Sequence, residues 1–129
     1  MLTDTPYSEN YDRDYIMDIV EKLHKLGTPC VVLTGISFQP GMTGVLISDG
    51  NGIDHYHHPK IAKSFHGTGD VYASALVGSC MSGKSLSEAV RIAADYTCKC
   101  IENTINDDAH WYGVKFETAL PYLISRLTD

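Results

Sequence analysis

The chain predicts an α/β fold, and three observations carry that reading. A helically spaced apolar segment over 12–26 runs into a continuous apolar stretch at 30–34. An Asp-Gly-Asn-Gly turn joins two β-like runs. Two helices rich in small residues then follow a glycine-dense stretch. The order is helix, strand, hairpin, helix, helix, helix. The 129 residues read as a single segment holding a short mixed sheet, a β-hairpin and about four helices.

Each element has its own cause. Ile16, Ile19, Val20, Leu23 and Leu26 give the first helix its apolar face, Gly27 stops it, and Pro29 prevents continuation. Cys30-Val31-Val32-Leu33-Thr34 suits a strand buried on both faces. A turn-rich loop covers 35–41. Strands follow at 43–48 and 53–58, joined by Asp49-Gly50-Asn51-Gly52, a strong hairpin signal. Residues 59–65 lead into the glycines. A helix over 70–81 ends at Ser82-Gly83. Ser85 and Glu88 form a capping box for a helix reaching about 103, with Leu86, Ala89, Val90, Ala93 and Ala94 as its packing face. After a loop at 106–113, a last helix spans 116–127 with Pro121 in its first turns. Three strands make a thin sheet with an open edge, so the segment is expected to be marginal or to pair with another copy.

The chain is 43% hydrophobic and 20% charged, enough for a core and against disorder. Its net charge of −6 disfavours a nucleic-acid backbone or an anionic membrane as partner. Cys30, Cys80, Cys98 and Cys100 read as reduced thiols of a cytoplasmic protein, most of them packed in the core. Cys98-Lys99-Cys100 is not a zinc or thiol-redox spacing. No apolar run reaches membrane-span length, and the N-terminus lacks a signal-peptide core.

The chemistry concentrates at His66-Gly67-Thr68-Gly69-Asp70. Two glycines and a threonine open an apolar helix, and a carboxylate sits in its first turn. A helix mouth offers unpaired N–H groups and partial positive charge, a seat for phosphate. The amides of Gly67, Thr68 and Gly69 are thus a candidate anion hole. Asp70 beside a phosphate could take a proton from an attacking hydroxyl; as a plain helix-dipole partner it would need no ligand. His55-Tyr56-His57-His58 places His55 and His57 on one strand face, but no third ligand is fixed, so no metal site is assigned. Gly78-Ser79-Cys80-Met81-Ser82-Gly83-Lys84-Ser85 matches the P-loop pattern literally. Its context fails, because a helix runs through Gly78 where a strand and loop are required.

Gly-Thr-Gly-Asp before a small-residue helix, with Thr34-Gly35 closing an apolar strand, resembles the ribokinase-like superfamily. Within it the pyridoxal/pyridoxamine kinase branch is the nearest likeness. The resemblance covers about 31–105 well. It implies the C-terminal, nucleotide-binding part of a three-layer fold whose N-terminal half, with an Asn-x-x-Glu region linked to magnesium, lies outside this chain. It implies phosphorylation of the 5′-hydroxymethyl group of a B6 vitamer by ATP and Mg2+, with Asp70 as the base and Thr34 and Gly35 at the nucleotide phosphates. His57 and His58 would lie beside the nucleotide, and the full-length protein would be a homodimer. The isolated segment is expected to be inactive. Other readings are a hydroxymethylpyrimidine or sugar kinase of the same superfamily, a P-loop NTPase, and a non-catalytic binding or assembly domain. The superfamily's pyrimidine kinases often carry Cys where Asp70 stands.

Overall fold

A computed structural model describes residues 3–6, 11–50, 52–60, 65–107 and 113–128. They form two compact units, 1–60 and 61–129.

The first unit is a helix on a three-stranded sheet. Helix α1 (Arg13–Lys25) begins at Asp12, whose carboxylate accepts the Tyr15 N–H at 2.9 Å. It ends at Gly27, which takes φ +102° and donates to the His24 carbonyl. Strands β1 (Val31–Ile36), β2 (Met42–Asp49) and β3 (Gly52–Pro59) lie in that order. Ile16 and Val20 of α1 pack on Val31, Ile36 and Leu46, with Leu23, Leu33 and Phe38 around them. The ring nitrogens of His24 tie the helix end to the sheet, 2.9 Å from the Thr28 carbonyl and 2.8 Å from the Ser48 hydroxyl.

Two expectations change here. The sheet is antiparallel throughout the described residues, not mixed, because both connections are too short for a crossover. The strand read as buried on both faces is an edge strand, with Thr34 and Gly35 exposed. The two-sided burial belongs to β2, the central strand, where Gly44 to Ser48 are buried in succession. The hairpin register pairs Asp49 with Gly52, as the turn signal required, while Asn51 lies outside the described residues.

His55 sits at the margin of this core. Its ring stacks on Phe38 at 5.3 Å and meets the His57 ring edge-on at 5.2 Å. Its Nε2 is buried with no hydrogen-bond partner among the described residues. Burial, then the charges of His57 and Arg13, lower its pKa from the ordinary 6.5; Asp54 opposes them weakly. Below pH 6.5 the unfolded chain therefore takes up a proton that the folded chain refuses. The His55 contribution to stability is full above that pH and is lost as pH falls towards the lowered folded value. Urea melts at pH 7.5 and 5.5 should show this loss, and His55→Phe should flatten it.

The second unit is helical. Helix α2 (Thr68–Met81) packs through Tyr72, Ala75 and Ser79 on α3 (Leu86–Thr104). Ala89, Ala93 and Ala94 of α3 are buried, and such small side chains allow close approach. Tyr72 donates to the Val90 carbonyl at 3.3 Å, and burial raises its pKa. The Ser85–Glu88 capping box is complete, and hydrogen bonds from the Ser85 backbone and hydroxyl lower the Glu88 pKa. A 3₁₀ turn (Phe116–Ala119) precedes α4 (Leu120–Thr128), so the last helix begins later than expected. Pro121 stands in its first turn, where no amide donor is needed. Arg126 binds the Asp95 carboxylate and the Tyr122 hydroxyl, each at 2.7 Å, and Tyr96 donates to the Phe116 carbonyl at 2.8 Å. Buried Thr104 donates to the Cys100 carbonyl and accepts the Lys115 N–H, both at 2.7 Å.

All four cysteines are free thiols. Only Cys100 is buried; Cys30 and Cys80 are exposed, contrary to the core packing expected of most. Apolar neighbours in sequence misled, because Cys30 precedes an edge strand and Cys80 lies on the outer side of α2. Burial pushes the Cys98 thiol up to about 11, which leaves it unreactive at neutral pH. Among the described residues no helix is long and apolar enough to cross a membrane.

Candidate active site

Gly67 caps α2 in the left-handed region, φ +82° and ψ 1°, a conformation that only glycine adopts without strain. Its carbonyl accepts the Val71 N–H at 3.0 Å and so starts the helix. The amides from Gly67 to Asp70 precede that first bond and have no intrahelical acceptor. Among the described residues no side chain caps them. The Thr68 hydroxyl turns back to the Phe65 carbonyl at 3.5 Å, and Phe65 is buried, which anchors the approach to the mouth. Gly69 has open space where a side chain would stand.

Asp70 is exposed, one turn in, at the rim of an apolar groove of about 380 Å³ between α2 and α4. Gly67 itself borders a second hollow, about 420 Å³, walled by His66, Val71, Val114, Phe116 and Glu117. The sequence expected Gly67, Thr68, Gly69 and Asp70 to share one helix mouth, and they do. Val114 and Phe116 were not foreseen there, since nothing in local spacing ties them to residues far earlier in the chain. Trp111 and Tyr112, assigned to the late loop, lie outside the described residues.

The other candidates belong to the first unit. Thr34 is exposed on β1 and pairs with Val45. It was expected at the strand end, but the strand continues to Ile36 past a bulge at Gly35, which has φ +69°. Gly35 borders a polar hollow of about 780 Å³ with Tyr11, Tyr15, Ser37, Thr43 and Lys60. His57 is exposed and pairs with Gly44. His58 turns to the opposite face, its Nδ1 3.4 Å from the Pro59 carbonyl and its ring near Tyr56. Among the described residues no three His, Cys, Asp or Glu side chains gather as a metal cage.

The P-loop pattern is disposed of by geometry. Gly78 to Met81 are helical, and Gly83 at φ +92° ends α2, with Gly83 and Lys84 donating back to Cys80 and Ser79. This is a helix C-terminal motif with its glycine in place, not a phosphate loop.

The sequence profile of the phosphomethylpyrimidine kinase family matches residues 2–114. The chain belongs to this family. A hydroxymethylpyrimidine/phosphomethylpyrimidine kinase of Bacillus subtilis is 34% identical over 88 residues, 66% of this chain and 32% of the relative. The chain thus spans about a third of the length of the curated relatives it matches. Among solved structures, a putative phosphomethylpyrimidine kinase of Bacteroides thetaiotaomicron superposes with TM-score 0.85 at 25% identity, covering 94% of this chain and 43% of its own. Another crystal form of that protein is described with pyridoxal. Pyridoxal kinase of Leishmania donovani, in complex with ADP and pyridoxine, shares the fold with TM-score 0.75 at 24% identity, over 88% of this chain and 41% of its own. The fold is therefore that of the ribokinase-like kinases, as the glycine motif implied.

Proposed function

We propose that the protein carrying these residues transfers the terminal phosphoryl group of ATP to the hydroxymethyl group of a small nitrogen heterocycle, a B6 vitamer first. The observation that carries this reading is the mouth of α2: a helix start opened by left-handed Gly67, without a side-chain cap among the described residues and with a carboxylate in its first turn. The first-turn amides and the helix dipole hold the charge of the travelling group. The acceptor oxygen attacks the γ-phosphorus, its bond to the β,γ-bridging oxygen breaks, and ADP leaves. Asp70 takes the hydroxyl proton. The base of the nucleotide rests against Val71, Val114 and Phe116. Thr34, Gly35, His57 and His58 are proposed as further nucleotide contacts. The nucleotide would bring magnesium with it as its complex.

Pyridoxal with the Bacteroides relative, and Asp rather than Cys at position 70, support the B6 acceptor. The names of the curated relatives favour hydroxymethylpyrimidine as a second reading. Phosphate transfer from ATP to pyridoxal, pyridoxine, pyridoxamine and hydroxymethylpyrimidine should be measured side by side in the whole protein that carries this segment. The B6 reading expects the highest kcat/KM with a vitamer, and a clear preference for the pyrimidine overturns it. Lys84→Ala should leave turnover near normal, because Lys84 follows a helix end and not a phosphate loop. The 129-residue segment alone should show no useful turnover.

A further inference from the structure

Tyr11 stands just ahead of the Asp12 cap of α1, yet it is tied to the far end of β1. Its ring stacks on Tyr15 at 6.2 Å and meets Phe38 edge-on at 6.5 Å. Its hydroxyl oxygen accepts the Ser37 N–H at 3.0 Å, across 26 positions of chain. Ser37 in turn donates through its own hydroxyl to the Met42 carbonyl at 2.6 Å, which closes the turn between β1 and β2. Together these contacts hold one phenolic oxygen in place beside the bulge at Gly35. A tyrosine hydroxyl can accept and donate at once. Here the accepting side is used, and the proton has no acceptor among the described residues.

Tyr11 borders the polar hollow of about 780 Å³ that Gly35 also lines. The Thr43 hydroxyl and the Lys60 ammonium border it too, and neither has a hydrogen-bond or ion-pair partner among the described residues. Asp12 is the one carboxylate on this hollow, and its Oδ1 already accepts the Tyr15 N–H. Unspent donors therefore outnumber unspent side-chain acceptors, and Lys60 offsets the charge of Asp12. A ligand that matches such a lining is rich in acceptor oxygens, as a phosphate is. We propose that Tyr11 is a binding residue for the phosphoryl donor, its O–H donating to a phosphate oxygen of the nucleotide beside the Gly35 bulge. The proposal rests on the reading of Thr34 and Gly35 as nucleotide contacts, and it adds a side chain that none of the glycine motifs contains.

Tyr11→Phe keeps both ring contacts and removes the hydroxyl. The test is calorimetric titration of the whole protein that carries this segment with the magnesium complex of a non-hydrolysable ATP analogue. Tyr11→Phe should bind it about tenfold more weakly, the low end for a hydrogen bond to a charged group. In turnover the KM for ATP should rise by the same factor, while kcat and the KM for the acceptor heterocycle stay within about twofold. A tyrosine that only braces the fold predicts either no change or a rise in both KM values together, and each of these overturns the proposal. Nitration of the unsubstituted protein reads the same contact if Tyr11→Phe does not fold. The analogue should then protect Tyr11 and leave Tyr122 unaffected, and an unprotected Tyr11 overturns the proposal. Thr34→Ala separates the two levels of the argument. Weaker binding by Thr34→Ala with none lost in Tyr11→Phe overturns the role of Tyr11 and leaves the nucleotide reading in place. Unchanged binding in both variants removes the nucleotide from this strand end and overturns both.

Discussion

Asp70→Asn should lower phosphotransfer by about 10²–10⁴-fold, the usual worth of a positioned base. Asparagine keeps the size of the side chain and its place in the first turn of α2. It removes the ability to accept a proton and the negative charge. The fall should therefore appear in kcat, with ATP affinity unchanged or slightly tighter because a charge beside the phosphates has gone. A carboxylate serving only the helix dipole predicts another pattern: a stability loss of ~0.3–1 kcal/mol and normal turnover. Kinetics and thermal melts on the same variant separate the two, and a fully active Asp70→Asn removes the base from the mechanism.

Gly44→Ala should be the most damaging change in the first unit. A Cβ at this position would lie 2.2 Å from the Tyr56 carbonyl oxygen, 3.0 Å from its carbon and 3.1 Å from the His57 Cα. All three are backbone atoms of the neighbouring strand, so no side chain can swing aside. Relief requires β2 and β3 to part at the pair Gly44–His57. The expected cost is about 3 kcal/mol, at the upper end for an overpacked site. Chemical denaturation measures it, and Gly50→Ala, with open space around it, is the control that should change little. A Gly44→Ala protein as stable as its parent would show that the strands are not held this closely.

The two outcomes differ in how far the residues announce them. The Gly67 to Asp70 mouth was legible because it is local: glycines, a carboxylate and a helix start within five positions determine its form. The capping box at Ser85, the stop at Gly27 and the hairpin pairing of Asp49 with Gly52 were legible for the same reason. Gly44 was not, since its constraint comes from a strand that pairs with it across the hairpin. Thr34 was placed on the right strand and Gly35 at the start of the following loop, but the bulge that carries the strand past them to Ile36 depends on β2. The direction of the sheet and the burial of its strands were misread where neighbours decide them, as were the exposed cysteines. His55 and His57 were read onto one strand face, and their rings meet there; burial makes His55 a stacked, neutral-favouring ring against Phe38.

Thr104 carries a last consequence. One hydroxyl grips the end of α3 and the backbone at Lys115 together, and Lys115 also pairs with Asp107. The two ends of the intervening stretch are thus fastened at its base, and closing a longer loop between fixed ends adds little entropic cost. A change of length between Asp107 and Lys115 should therefore leave α3 and the turn at Phe116–Ala119 in place.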